Sequence, residues 1–186
     1  MIHRATFVLV VVASTIAFAE QPAKPIGIGD KVPDFTVTGL NGKQYKFSEL
    51  QKNKNLSAGG VTVFTFWCSF CDSCRHVERP LNRLADKYKG KALIVALDSS
   101  LGETAEEVAA FKKEKKLTLP FALDPKGDVA DIFGAKMTTT TVVIDGDGKL
   151  RYFGQFAHGR EALAEQALQA VLAGRDVRTT HTRQRG

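Results

Sequence analysis

The sequence predicts an α/β domain: a central mixed β-sheet with helices on both faces and an extra β-hairpin at its N-terminal side. Three observations predict it. From Val61 onward, β-branched and aromatic runs alternate with stretches of helical period, as in parallel strands joined by crossover helices. The last two extended runs are instead joined by the tight turn Asp145-Gly146-Asp147-Gly148, which makes that pair antiparallel. A separate alternating pair flanks Asn41-Gly42 ahead of the first buried run.

The elements follow in order. Phe35 and Val37, the turn at Asn41-Gly42, and then Tyr45 and Phe47 form the leading hairpin. Ser48-Glu49-Leu50 opens a short helical turn, and polar Lys52 to Gly60 reads as a loop. Val61 to Trp67 is dense in β-branched and aromatic residues, as a central strand requires. Val77, Leu81, Leu84 and Tyr88 recur at helical spacing, with a kink expected at Pro80 and a stop at Gly90. Ala92 to Leu97 is a second buried strand. Thr104 and Glu107 form a capping box for a helix that turns Val108 and Phe111 inward and lysines outward to Lys116. Asp128 to Phe133 is a short helix, and Thr141 to Ile144 and Leu150 to Phe153 are the closing hairpin. Leu163, Ala167, Leu168, Val171 and Leu172 make one apolar stripe, ended by Gly174.

The ends set the organisation. Residues 1–19 have the layout of a secretory signal peptide: a positive start at Arg4, an apolar run Ala5 to Phe18, and Ala17-Phe18-Ala19 as a small-x-small cleavage site. The run is short for a membrane span, although an uncleaved anchor is the alternative. Residues 20–26 read as a linker, 27–173 as one domain and 174–186 as a basic tail. The net charge is +6, but Arg175, Arg178, Arg183 and Arg185 against Asp176 place half of it in the tail. The domain therefore lacks the basic face of a nucleic-acid binder. A solvated, poorly ordered tail is expected.

The chemistry lies in three cysteines, Cys68, Cys71 and Cys74, crowded into seven residues. A structural disulfide framework would scatter its pairs, so the cluster points to redox chemistry or metal binding. Cys71-Asp72-Ser73-Cys74 lies between a buried strand and a helix. That places Cys71 at a helix N-terminus, where free N–H groups and the dipole favour its thiolate. Cys74 falls one turn inside, in reach to resolve a mixed disulfide. Cys71 is thus the expected nucleophile and Cys74 the resolving thiol. Asp72 adds a negative charge that should disfavour the thiolate. His76 and His158 read as isolated surface histidines.

Phe66-Trp67-Cys68-Ser69-Phe70-Cys71-Asp72-Ser73-Cys74-Arg75, followed by Glu78-Arg79-Pro80, resembles the active-site stretch of thioredoxin-like proteins of the redoxin and TlpA (AhpC-TSA-like) family. Gly29 to Phe35 resembles the family's opening segment, and Phe133 to Lys149 its second site loop and closing hairpin. The resemblance implies a thioredoxin-like fold and an extracytoplasmic dithiol oxidoreductase. The chain departs from the family pattern at four site positions. Phe70 stands for a usual Trp, Cys68 for a small residue, Thr65 for a buried Asp or Asn, and Thr139, within Thr138 to Thr141, for a cis-proline. A cis peptide without proline costs about 2.5–4 kcal/mol, so a trans or strained loop is expected at Thr138-Thr139. If the match holds, Thr139 faces the dithiol. Ser73, Phe70, Cys68, Thr65, Thr138 and Thr139 complete the expected site.

The leading reading is an exported thiol–disulfide oxidoreductase of the periplasm or another extracytoplasmic space of a bacterium. It acts on protein thiols and disulfides as a monomer, with no cofactor and no membrane span after signal cleavage. Two alternatives remain. Cys68, Cys71 and Cys74 could hold Cu(I) or Zn(II) in a metallochaperone-like module. Thr65-x-x-Cys68 also resembles the T-x-x-C of thiol peroxidases, with Val61 where that motif carries a proline.

Overall fold

The computed structural model describes residues 24–185, so the expected signal peptide and residues 20–23 lie outside the described residues. In chain order the elements are β1 (Thr36–Gly39), β2 (Gln44–Lys46), α1 (Phe47–Lys52), β3 (Ser57–Trp67), α2 (Asp72–Lys87), β4 (Gly90–Asp98), α3 (Ala105–Glu114), β5 (Phe121–Leu123), α4 (Asp128–Phe133), β6 (Thr140–Ile144), β7 (Leu150–Gln155) and α5 (Leu163–Leu172). The strands form one sheet in the order β2-β1-β5-β4-β3-β6-β7. β3 and β5 run parallel to β4 on either side of it, and all other pairs are antiparallel. This is the expected mixed α/β sheet, and the leading hairpin joins it through β5.

Side-chain alternation along β3 builds two cores. Val61, Val63 and Trp67 pack with Leu81 and Leu84 of α2 and with Leu163, Ala164 and Leu168 of α5. Phe64 and Phe66 point the other way, into Phe35, Phe47, Val129 and Phe133 under α1 and α4. β3 is thus covered on both faces, and its C-terminal end is fixed where the chain turns into α2. That helix runs through Pro80 as one element of 16 residues. The capping box of Thr104 and Glu107 is formed as expected.

Four readings need correction. β5 was not expected, because three apolar residues after Pro120 carry no period. Ser57–Gly60, read as loop, belongs to β3; Gly60 adopts φ 74°, and the pairing with β4 shifts register between Ser57 and Val61. The solvated tail is the largest correction. Val177 is buried. Phe153 N donates to Thr180 O at 3.0 Å, and Thr182 N donates to Phe153 O at 3.1 Å, so the tail lies along the outer edge of β7. A Cβ at Gly154 would fall on the Thr182 hydroxyl, so only glycine admits this approach. The tail lacks an apolar period, but its backbone and polar side chains satisfy an otherwise open sheet edge. At the other end Ile26, read as linker, already donates to Ile132 O at 3.0 Å.

Candidate active site

Four residues, 68–71, cross from the end of β3 to the start of α2. Cys71 is the N-cap of that helix, with extended backbone at φ −87° and ψ 121°. The unpaired amides of the first helical turn therefore point toward its sulfur. Cys74 lies one turn inside, fully buried, with its N–H on Cys71 O at 3.1 Å. The Sγ atoms of Cys68, Cys71 and Cys74 all lie within 4.8 Å of one another. All three are free thiols.

Acidity is divided unequally among them. Burial works against a Cys71 thiolate, but the Thr138 hydroxyl, the Cys74 amide and thiol and the Ser73 amide outweigh it and hold the thiol below its ordinary value. The Thr138 Oγ1 is 2.9 Å from Cys71 Sγ. Cys68 is pushed up to about 12, by burial first and then by the negative charges of Cys71, Asp98 and Glu103. Burial pushes the Cys74 thiol up as well, even though the Cys68 amide points at it. One thiol of the three is therefore prepared to ionise, and it is the one open to solvent.

The remaining expected residues divide between those that reach the dithiol and those that do not. Phe70 stands exposed beside Cys71. Asp72 points into solvent and pairs with Arg75 at 3.4 Å, an exposed pair of little energetic weight. Thr65 does not address a sulfur; its hydroxyl is 3.0 Å from that of Thr141, across the β3–β6 pairing. The expectation for Thr139 is corrected. Its amide donates to Phe66 O at 2.7 Å, its hydroxyl to Arg185 O at 3.4 Å, and its neighbour Thr138 makes the contact with Cys71 instead. Every peptide among the described residues is trans, and Thr139 has φ 63°. His76 and His158 are exposed, and neither joins the thiol cluster.

Sequence reasoning missed the acids behind Cys68. Asp98, at the end of β4, is buried and accepts from the Ser100 amide at 2.8 Å. Glu103 accepts from the Ser69 amide at 3.1 Å and from the Ser100 hydroxyl at 3.2 Å. Asp98 Oδ2 and Glu103 Oε1 are buried with no donor, a need that one proton held by the pair meets. Burial, then the Glu103 carboxylate, pushes Asp98 up to about 7. Bonds from Asp98, Ser69 and Ser100 outweigh burial at Glu103 and lower it. The available signal was an acid closing an otherwise apolar strand, Ala92 to Leu97. Glu78, one turn beyond Cys74, is also buried; burial raises its carboxyl, and the Trp67 indole, whose Nε1 stops short of a hydrogen bond, offsets part of that.

Comparison with known proteins agrees with this geometry. The model of the AhpC/TSA family matches residues 28–153. A thiol-disulfide oxidoreductase ResA of Bacillus thuringiensis is 33% identical over 124 residues, 66% of this chain and 66% of that one. The chain thus spans slightly under two thirds of the length of the first curated relatives. A Sinorhizobium meliloti protein of hypothetical assignment superposes with TM-score 0.76 at 26% identity, covering 88% of this chain and 93% of that one. A Chlorobium tepidum protein described as a thiol:disulfide interchange protein DsbE superposes with TM-score 0.65 at 30% identity, covering 79% and 99%. The fold is thioredoxin-like.

Proposed function

Because the chain belongs to the AhpC/TSA family, we propose that it is a thiol–disulfide oxidoreductase acting on protein cysteines, with Cys71 as nucleophile and Cys74 as resolving thiol. The observation that carries this reading is the split in acidity between two sulfurs within 4.8 Å of each other: Cys71 held down and open, Cys74 pushed up and buried. The Cys71 thiolate attacks one sulfur of a partner disulfide and releases the other as a thiolate. Cys74 then gives up its proton and attacks Cys71 Sγ. The second partner sulfur leaves as a thiolate, so the Cys71–Cys74 dithiol has given up two electrons in becoming a disulfide and the partner disulfide has taken them up in becoming two thiols. The thiols carry the electrons themselves, so no cofactor is required.

The surroundings suit a protein partner. Of the four exposed large apolar side chains among the described residues, Phe70, Leu101 and Met137 belong to segments that meet at this site. Phe70 precedes Cys71, Met137 precedes the Thr138 that touches it, and Leu101 lies in the segment whose Glu103 holds the Ser69 amide. Such a patch around a reactive thiol fits docking of a polypeptide. The signal-like residues 1–19 support export and action outside the cytoplasm; a mature N-terminus at Glu20 in the periplasmic fraction is the expected finding. No helix among the described residues is long and apolar enough to cross a membrane.

A peroxidase centred on Cys68 is less well supported. That thiol is buried and pushed up to about 12, and the Thr65 hydroxyl is engaged by Thr141. Trapping separates the readings. Cys74→Ser should accumulate mixed disulfides through Cys71, Cys71→Ser should trap none, and peptide mapping of the oxidised protein should find Cys71–Cys74 bridged with Cys68 reduced. Equal trapping by both variants, or a dominant bridge to Cys68, rejects the assignment.

A further inference from the structure

We propose that the reduced protein binds one Cu(I) ion through the three sulfurs of Cys68, Cys71 and Cys74, in a trigonal site at the start of α2. Disulfide exchange needs two thiols, yet the fold converges three. Cys68 comes from the end of β3 and the other two from α2, so a strand end and a helix start must both be in place for the sulfurs to lie within 4.8 Å of one another. Three thiolates on one ion at about 2.3 Å stand roughly 4 Å apart. The observed separations therefore close onto an ion by side-chain adjustment alone.

The donor set selects the metal. All three donors are soft sulfurs, the ligands that favour Cu(I) and Zn(II) over harder ions. Zn(II) in a closed protein site takes four ligands in tetrahedral geometry. Among the described residues the cluster offers three, with no histidine or carboxylate in the set. Cu(I) is satisfied by three. The surroundings suit it too. Cys68 and Cys74 are both buried, Cys74 within the apolar cluster that holds Trp67, which keeps water from the ion, while Cys71 is half-buried and gives an entry path. Each ligating thiol passes its proton to solvent, and the ion's charge offsets the crowding of thiolates. A Cys71–Cys74 disulfide leaves Cys68 as the sole donor, so binding belongs to the reduced protein. The assignment needs no exchange activity and stands or falls apart from it.

The test is anaerobic titration of the reduced full chain with Cu(I), supplied as its acetonitrile complex, against a coloured Cu(I) chelator. X-ray absorption of the loaded protein counts the sulfurs. One ion per chain and three sulfur ligands are expected. Cys68→Ser should lower the sulfur count to two and the affinity by at least about tenfold, since even losing an outer partner of a ligand costs 10–100-fold. A count of two sulfurs in the unaltered protein overturns the proposal even if the variant fails to fold. So does an affinity unchanged in Cys68→Ser, or full displacement of Cu(I) by an equal concentration of Zn(II).

Discussion

Replacing Thr138 by valine removes the hydroxyl that faces Cys71 at 2.9 Å and keeps the shape of the side chain. In the thiolate state that hydroxyl is the donor, so it stabilises the charged form. A hydrogen bond to a charged group is worth about 1.5–3 kcal/mol. Cys71 is only half-buried, so water replaces part of the loss and the lower end applies. A cost of about 1.4 kcal/mol weakens ionisation roughly tenfold. At pH values well below the midpoint, Thr138→Val should therefore hold about a tenth of the wild-type thiolate. Alkylation by iodoacetamide as a function of pH reads this, because the buried Cys68 and Cys74 thiols are both pushed up and contribute little. The whole curve should move to higher pH. Thr139→Val is the matched control: its hydroxyl bonds Arg185 O, so its curve should superpose on the wild type. An unshifted Thr138→Val, or an equal shift in both variants, refutes the assignment of Thr138 as the donor.

Three further outcomes are expected. Asp98 is raised in the fold to about 7 from 3.8, so its contribution to stability is present at acid pH and lost as pH rises through about 7. Asp98→Asn keeps a neutral donor beside Glu103 and should raise stability at pH 8 by about 1–2 kcal/mol with little change near pH 4, read by urea unfolding; equal effects at both pH values would rule the shared proton out. Replacing Phe70, Leu101 and Met137 together by alanine should slow reduction of a protein disulfide such as insulin several-fold and leave reaction with a small aromatic disulfide unchanged; parallel losses would show that the patch is not a docking surface. Gln184→Ala removes partners of Lys136 N, Thr140 Oγ1 and Gly134 O and should cost about 1–2 kcal/mol of stability, so an unchanged unfolding midpoint would mean that the tail does not hold the loop.

What could be read from the sequence was whatever repeats with a period or punctuates one. The buried strands, the capping box at Thr104, the short helix Asp128 to Phe133 and the Asp145–Gly148 turn all declare themselves in this way. The dithiol was legible because C-x-x-C after a buried strand fixes its own position at a helix start. What was not legible depends on contacts distant in sequence. Phe121–Leu123 becomes a strand because β4 and β1 flank it. The tail is ordered by the edge of β7, which no local pattern announces. Asp98 and Glu103 matter because Ser69 and Cys68 lie against them.

Thr139 shows why an alignment alone assigned the wrong threonine to the thiol. A β-branched residue in the left-handed region costs on the order of 1–3 kcal/mol and persists only where its surroundings over-determine it. They do so here. The Thr139 amide is held by Phe66 O at 2.7 Å, and its carbonyl accepts from Phe156 N and the Thr141 hydroxyl, each at 3.2 Å. Its own hydroxyl reaches the tail at Arg185 O. At about 0.5–1.5 kcal/mol each, these bonds outweigh the strain. The left-handed turn commits the Thr139 side chain to the tail and leaves Thr138 as the residue that meets Cys71. Where the resembling family has a proline with no amide to donate, this chain keeps the amide and uses it to fasten the loop to β3, the strand that ends at the cysteines. The reactive thiol and the hydroxyl that tunes it are thus anchored to the same strand, which sets the distance between them.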